Sequence, residues 1–293
     1  MVRPSIMSVA EEHTLHSDGL RLHVRHWPRA NAKGVVALVH GLAEHAGRYG
    51  HVAKSLGDRG YDVWGLDLRG HGRSEGERVY VADLGDHVRD VSAFVAFVRK
   101  NAGNLPLYLL AHSMGGCIST LYVLRDRPRL EGLILSGPAL KLGEDFNPAK
   151  IAAGRALGRI VPKMPIEKLK SDSISRDPEV VRAYDQDPLV YRGWIKTGFG
   201  LAFIRATEEI DRRMDEIELP LLVLQGGSDK IINRKGGAEL YRRARSADKK
   251  LVIYEELYHE IFNEPEKEKV LSDLGTWLDA HVGGSAVAGA SAS

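Results

Sequence analysis

Residues 109 to 117, LLAHSMGGC, place a serine between a short apolar run and a string of small residues. The apolar run is typical of a strand buried on both faces of a parallel sheet, and the residues after it can form a helix. Ser113 would then stand on a sharp strand-to-helix turn, with its hydroxyl above the sheet. The pattern is that of a G-x-S-x-G nucleophile elbow, with Ala111 at the first glycine position. A turn or helix-capping serine is the alternative interpretation.

An aspartate and a histidine follow two later apolar runs. Asp229 lies in QGGSDKI after the run 220–225, and His259 lies in YEELYHEIFNEP after the run 250–255. A serine hydroxyl becomes nucleophilic when a neutral imidazole takes its proton, and a carboxylate holds that imidazole in one tautomer. Serine, aspartate and histidine in this chain order match the α/β-hydrolase arrangement. Taken singly, Asp229 could be a turn residue and His259 a surface histidine.

The segment VHGLAEHAGRY supplies a candidate oxyanion hole. His40 and Gly41 end an apolar run, so the backbone can turn and direct the N–H of Leu42 toward Ser113. The N–H of Met114 would be the second donor. Two such donors stabilise the charge that develops on the carbonyl oxygen in the transition state.

The order of elements predicts the fold that must position these residues. Strand-like runs alternate with helix-length segments, which favours a mostly parallel, doubly wound α/β sheet. From Lys141 to about Arg212 the pattern fits helices only, so we expect a helical cap inserted at the edge of the sheet where ligands bind. The expected organisation is a core in two parts, 1–140 and 213–282, a cap at 141–212 and a disordered tail at 283–293. The strand-like runs are 20–27, 34–40, 61–68, 105–111, 130–136, 220–225 and 250–255.

Composition narrows the function classes. The chain has 293 residues, of which 43% are hydrophobic and 27% charged, and its formal net charge is +2, so nothing in it demands a nucleic-acid partner. The single cysteine, Cys117, excludes an internal disulfide and is either a small buried helix residue or a reactive thiol. The N-terminus has no apolar stretch of signal-peptide length and no later run reaches the length of a membrane span. We expect a cytoplasmic protein.

Several blocks together resemble the monoacylglycerol lipase family of serine hydrolases, from about Gly19 to Val282: HGLAEHAGRY, LDLRGHGRSEGER, AHSMGG, SISRDPEVVRAYDQDPLVYRG, LQGGSDKI and LYHEIFNEPE. The resemblance implies an α/β-hydrolase fold with a mostly parallel, eight-stranded sheet flanked by helices. It also implies hydrolysis of monoacylglycerols to fatty acid and glycerol through an acyl-enzyme, with no metal or organic cofactor. Ala111 and Ala43 stand where glycines are common in the family.

The resemblance assigns a role to each candidate residue. It implies Ser113 as nucleophile, His259 as base and Asp229 as the acid that orients it. The oxyanion donors would be Leu42 and Met114, and the residues near the glycerol end of the substrate would be Glu44, Arg48 and His112.

The predicted cap leaves two interpretations open. Between Lys150 and Lys170, apolar residues at near-helical spacing alternate with basic ones. Either this segment contacts a lipid or micelle surface and lines a substrate entrance, or its apolar stripe packs on the body and its basic residues are solvated.

Two alternative functions of the whole protein also remain: a broader carboxylesterase or lysophospholipase, and a ligand-sensing protein with the same fold. The intact set of catalytic residue types argues against the sensor.

Overall fold

A computed structural model describes residues 10–143, 147–168 and 170–282. Within these residues, eight strands form the main sheet, and they are β1 (Glu11–Ser17), β2 (Leu20–Trp27), β3 (Gly34–Val39), β4 (Tyr61–Leu66), β5 (Leu107–His112), β6 (Gly132–Ser136), β9 (Leu221–Gly226) and β10 (Lys249–Tyr254). Their order is β1-β2-β4-β3-β5-β6-β9-β10. β2 is antiparallel to both β1 and β4, and every other neighbouring pair is parallel.

Helices cover both faces of this sheet: α1 (Gly50–Asp58), α2 (Gly85–Ala102), α3 (Met114–Asp126), α6 (Thr197–Arg213), α7 (Lys235–Arg243) and α8 (Lys267–His281). Two further helices, α4 (Pro148–Ile160) and α5 (Pro178–Gln186), lie in the connection between β6 and β9. The central strands are apolar throughout because each face packs against helices. Along β3, Val35, Ala37 and Val39 join the apolar cluster that contains α2, α3 and α6. Val36 and Leu38 point the other way, into the cluster that contains α1 and α8.

The observed architecture confirms the predicted fold class, and each of the predicted strand-like runs overlaps a strand. The sequence pattern missed β1, whose residues EEHTLHS bury only Leu15 and Ser17 and therefore carry little apolar signal. The expectation of helices only in the cap was wrong. A two-stranded antiparallel sheet, β7 (Pro165–Glu167) with β8 (Ile195–Lys196), lies between its helices. These strands are too short and too exposed to produce a periodic pattern.

The cap occupies the connection between β6 and β9, and α6 continues to Arg213, one residue past the expected boundary. The division into two core parts and a cap stays a prediction. The expected tail at 283–293 lies outside the described residues, as does Leu169 within the cap. Among the helices of the described residues, none combines the length and the apolar character that crossing a membrane requires.

Candidate active site

Ser113 lies on the turn between β5 and α3 with backbone angles φ 53° and ψ −118°. This positive φ is unusual for a residue with a side chain and is the strained geometry expected of a nucleophile elbow. The turn is possible because Gly115 follows closely. A Cβ at that position would lie 2.4 Å from the carbonyl oxygen of His40 and 2.6 Å from that of Val39.

The small residues around the elbow are explained by close packing. A Cβ on Gly116 would lie 2.9 Å from Cβ of Pro138, so the second glycine of MGG is also sterically required. Ala111 is fully buried in β5, which accommodates its methyl group at the position of the first motif glycine. Cys117 is also fully buried, and burial raises the pKa of its thiol to about 12. Its place on α3 is that of a core residue, not of a reactive thiol.

The structure brings the three predicted catalytic residues into one hydrogen-bonded chain. Oγ of Ser113 lies 2.8 Å from Nε2 of His259, and Nδ1 of His259 lies 2.7 Å from Oδ2 of Asp229. The other carboxylate oxygen, Oδ1, accepts hydrogen bonds from the backbone N–H groups of Ile231 at 2.8 Å and Ile232 at 3.2 Å. This anchoring holds the carboxylate against the imidazole. All three catalytic candidates are buried.

Charges around His259 set its protonation. Burial alone would lower the pKa of His259. The charge of Asp229, the hydrogen bond to Asp229, and the charges of Glu260 and Glu44 act in the opposite direction, so the pKa of His259 is raised overall. Burial would raise the pKa of Asp229, but the charge and hydrogen bond of His259, together with the backbone N–H donors, lower it below its usual value. The imidazolium that forms when His259 takes a proton is therefore stabilised by a nearby carboxylate.

The backbone from Gly41 to Leu42 passes directly against the nucleophile. A Cβ on Gly41 would lie 2.9 Å from Oε1 of Glu44 and 3.2 Å from Cβ of Ser113, so glycine favours this close approach. In the described part of the chain, the N–H groups of Leu42 and Met114 donate to no protein acceptor. Met114 is the first residue of α3, where the helix dipole favours negative charge. These two N–H groups have the properties of an oxyanion hole.

The sequence profile of one protein family, Hydrolase_4, described as serine aminopeptidase, S33, matches residues 30–266. The chain belongs to this family. Relatives of this chain include a monoacylglycerol lipase of Mycolicibacterium smegmatis, 40% identical over 94% of this chain and 100% of the relative. A monoglyceride lipase of Mus musculus is 37% identical over 92% of this chain and 90% of its own length.

A solved structure has the same fold as this chain. A soluble variant of the monoglyceride lipase of Saccharomyces cerevisiae, in complex with a substrate analogue, superposes with a TM-score of 0.84 at 25% identity. The superposition covers 95% of this chain and 97% of that one. The chain is thus a serine hydrolase with the α/β-hydrolase fold.

In this serine hydrolase, Glu44 and Arg48 belong to a buried network behind the oxyanion turn. Oε1 of Glu44 accepts hydrogen bonds from the N–H of Gly41 and the hydroxyl of Tyr49, both at 2.7 Å. Its other oxygen accepts from Arg48, which also makes two hydrogen bonds to Glu260, all at 2.7 Å. Glu44 therefore holds the turn in place and lines the cavity, whereas Arg48 lies behind the cavity wall between two carboxylates.

His112 lines the cavity beside the nucleophile. Its Nδ1 donates to the carbonyl oxygen of Ser136 at 3.0 Å, which leaves Nε2 as a lone-pair acceptor in the neutral ring. Burial and the nearby charge of His259 lower the pKa of His112 to about 3, so this ring stays neutral. Sequence reasoning missed Tyr184 and Glu260, which line the same cavity. Tyr184 lies in a block that resembles the family, and Glu260 directly follows His259, but neither position signals a role by residue type alone.

A cavity of about 920 Å³ opens above Ser113 and extends beneath the cap. The cap covers it with apolar side chains, namely Leu157, Ile166, Phe199, Leu201, Phe203 and Ile204. The cavity is thus polar beside the nucleophile and mainly apolar beneath the cap, where Glu167 and Lys170 also line it. This arrangement suits a molecule with a polar group at one end and a hydrocarbon chain at the other.

The outer surface of the cap is unusually apolar. Its large exposed apolar side chains, between 36% and 76% accessible, are Leu157, Ile160, Val161, Met164, Ile166 and Trp194. Only Gly158 is buried in α4, so the interpretation that this stripe packs on the body was wrong for these residues. Two of the basic residues are paired within the protein, Arg155 with Glu208 and Lys163 with Glu77.

Proposed function

We propose that Ser113 attacks the carbonyl carbon of an ester while His259 takes its hydroxyl proton. Asp229 holds the Nδ1–H tautomer of His259, and the N–H groups of Leu42 and Met114 stabilise the oxyanion. The tetrahedral intermediate then breaks the C–O bond to the alcohol, which leaves with the proton from His259, and an acyl-enzyme remains. Water, deprotonated by His259, attacks the acyl carbon. The C–O bond to Ser113 then breaks, the serine oxygen takes the proton from His259, and the fatty acid is released. The unbroken chain of hydrogen bonds from Ser113 to Asp229 carries this proposal.

The substrates are monoacylglycerols, which the enzyme hydrolyses to fatty acid and glycerol. The relative from Mycolicibacterium smegmatis carries the name monoacylglycerol lipase and is covered over its full length. The apolar part of the cavity accepts the acyl chain, and Nε2 of His112 accepts a hydrogen bond from a glycerol hydroxyl. Glu44 and the Tyr184 hydroxyl complete the polar wall. Arg48 acts indirectly, by holding the carboxylates of Glu44 and Glu260.

Replacement of the nucleophile tests the mechanism. Ser113→Ala should lower kcat for every ester by at least roughly 10⁴-fold because the covalent step is lost. Ser119→Ala is the matched control, since Ser119 is a buried serine on the following helix whose hydroxyl has no hydrogen-bond partner. It should keep full activity. Substantial turnover by Ser113→Ala would place the nucleophile elsewhere.

A kinetic panel tests the substrate. Monoacylglycerols, diacylglycerols, lysophospholipids and simple carboxylic esters of the same acyl chain should be compared by kcat/KM. Monoacylglycerols should be preferred, because a polar site discriminates against substrates that lack its hydrogen-bonding partners. Higher kcat/KM for lysophospholipids or simple esters would contradict the substrate assignment while leaving the triad intact.

Two substitutions separate the alcohol site from the oxyanion turn. Tyr184→Phe removes only a hydroxyl and should reduce kcat/KM for monoacylglycerol by about tenfold relative to an aryl ester, near the upper end for one hydrogen bond. Glu44→Ala should reduce both rates, since the Glu44 carboxylate supports the turn that carries Leu42. A loss confined to monoacylglycerol in Glu44→Ala would mean that Glu44 acts on the substrate alone.

We also propose that the cap contacts a lipid surface peripherally through its exposed apolar patch. The patch lies over the cavity, so a substrate could enter from the lipid without crossing water. Ile160 and Leu157 stand one turn apart on α4, but only Leu157 lines the cavity. Ile160 is 76% exposed, so its burial in lipid contributes about 1–2 kcal/mol, roughly tenfold in partitioning.

Ile160→Ser should therefore weaken binding to anionic phospholipid vesicles about tenfold without changing hydrolysis of a short soluble ester. Leu157→Ser should instead change chain-length preference among soluble esters. Ile253 is an exposed isoleucine of β10 that lines the cavity but lies outside the cap, so Ile253→Ser should leave vesicle binding unchanged. Arg159→Gln tests the charge contribution, since Arg159 has no ion-pair partner among the described residues. Equal vesicle binding by wild type and Ile160→Ser would end the docking proposal.

A further inference from the structure

A second cluster of chemically active side chains lies at the other end of the sheet, on its β1 edge. Glu11 and His13 are two residues apart on β1 and share one face, and the strand register places His26 of β2 directly opposite Glu11. On β4, Trp64 pairs with His26, and Asp62 precedes Trp64 by two residues. Three neighbouring strands thus contribute to one row of side chains.

The potential ligand atoms in this row converge. Oε2 of Glu11 lies 3.3 Å from Nδ1 of His26 and 3.6 Å from Nε2 of His13, and all three atoms lie within 4.8 Å of one another. Ligand atoms placed tetrahedrally about 2.0–2.1 Å from a zinc ion are roughly 3.3 Å apart. Two of the three separations are therefore close to those of a filled site, and only the two histidine nitrogens have to approach each other.

Hydrogen bonding determines which atoms present lone pairs. Oδ1 of Asp62 lies 2.9 Å from Nε2 of His26, and since a carboxylate only accepts, Nε2 carries the proton. Nδ1 of His26 faces Oε2 of Glu11 at 3.3 Å, and it presents its lone pair there whenever the ring carries its single proton on Nε2. Nε2 of His13 is shielded from solvent and has no hydrogen-bond partner. These three atoms face one another at distances that allow them to share one cation, either a proton or a metal ion.

The surroundings hold the rings in place. His26 stacks on Trp64 with ring centroids 3.6 Å apart and an interplanar angle of 10°. His13 lies 5.2 Å from the same indole and packs edge-on against Phe97 of α2 at 6.1 Å. The hydrogen bond from His26 to Asp62 is the outer-sphere carboxylate contact that metal-binding histidines characteristically make.

We propose that Glu11, His13 and His26 bind a divalent transition-metal ion of the Zn²⁺ class, with water in the remaining coordination position. Two imidazole nitrogens and one carboxylate oxygen suit such an ion, whereas Ca²⁺ and Mg²⁺ prefer oxygen ligands throughout. The bound ion would tie the edge strand β1 to β2. The site takes no part in ester hydrolysis, and it stands or falls independently of the proposed function.

The same hairpin carries a contrasting histidine. Nδ1 of His23 lies 3.0 Å from Asp67, and its Nε2 contacts Glu12, so both ring nitrogens already have carboxylate partners. Unlike Glu11, His13 and His26, His23 belongs to no group of three converging ligand atoms within the described residues. His16, which is exposed on the opposite face of β1 from His13, provides a control on the same strand.

The test uses the full chain freed of metal with a chelator and titrated with Zn²⁺ by calorimetry, and with Co²⁺ by visible absorption. Wild type and His16→Gln should each bind one tight equivalent and give a tetrahedral Co²⁺ spectrum. Glu11→Gln and His26→Gln should bind at least roughly 10–100-fold more weakly, since a lost ligand costs no less than a lost outer-sphere contact. Zn²⁺ should raise the thermal unfolding temperature of wild type and His16→Gln only.

Glu11 is exposed, so Glu11→Gln should fold normally even if His26→Gln does not. Two outcomes would overturn the proposal. One is Zn²⁺ binding of equal strength in wild type and Glu11→Gln, which would place the ion at other histidines. The other is the absence of a tight equivalent in wild type, which would mean that the cluster shares only a proton.

Discussion

Asp229→Asn should lower kcat for ester hydrolysis by roughly 10⁴-fold, about 5.5 kcal/mol of activation free energy, although the substitution changes the size of the side chain very little. The structure explains why the effect should be so large. Oδ1 of Asp229 accepts two backbone hydrogen bonds, from Ile231 and Ile232. An asparagine keeps both bonds only if its oxygen takes the place of Oδ1, which puts its NH₂ group where Oδ2 faces His259.

The opposite orientation of the amide is unfavourable. It would leave two part-buried N–H donors without an acceptor, at about 1–3 kcal/mol each, whereas the first orientation leaves only the Gln225 amide without its Oδ2 acceptor. The difference of one donor, roughly 1–3 kcal/mol, favours the NH₂ group facing His259. That NH₂ donates to Nδ1 of His259, which must then carry a lone pair, and the ring proton moves to Nε2. A protonated Nε2 cannot accept the proton of Ser113, which lies 2.8 Å away.

The assay is steady-state kinetics on a soluble short-chain p-nitrophenyl ester, with the thermal unfolding temperature measured for each variant. Asp229→Ala is the informative comparison, because it removes the charge without imposing a tautomer. Asp229→Asn should be no more active than Asp229→Ala, and the histidine nitrogen resonances should report a proton on Nε2. An Asp229→Asn enzyme within about tenfold of wild type, or far more active than Asp229→Ala, would refute the tautomer argument.

Two further predictions concern the groups around the site. Glu260 raises the pKa of His259, which acts as a base only when neutral, so Glu260→Gln should move the acidic limb of the kcat/KM profile to lower pH. The acidic limb should keep its position in Glu256→Gln, because the Glu256 side chain is 84% exposed. An acidic limb that stays in place in Glu260→Gln as well would contradict the proposed effect of Glu260 on His259. Gly115→Ala should destabilise the fold by several kcal/mol because its methyl would clash with two backbone carbonyl oxygens. Gly57→Ala, in a helix with open space around it, should stabilise by about 1 kcal/mol in denaturant unfolding.

Much of this protein could be predicted from its sequence because the deciding signals are local. A strand buried on both faces reads as a short continuous apolar run, which is why β3, β5 and β9 were predicted close to their observed bounds. The parallel order of those strands brings their carboxyl ends to one edge of the sheet. Ser113, Asp229 and His259 follow such ends, so residue type and position in the chain together identified them before any distance was known.

The tertiary structure alone decided the features that depend on contacts distant in the chain. Arg48 and Glu260 are 212 residues apart, and only folding shows that Arg48 is held behind the cavity wall while Glu260 lies beside His259. Exposure also depends on packing: Leu157 and Ile160 look alike in the sequence. In the structure Leu157 lines the cavity and is 41% exposed, whereas Ile160 does not line it and is 76% exposed. Strand register brings Glu11, His13 and His26 together. Because pairwise geometry across the chain follows from packing and not from local pattern, these features could not be predicted from the sequence alone.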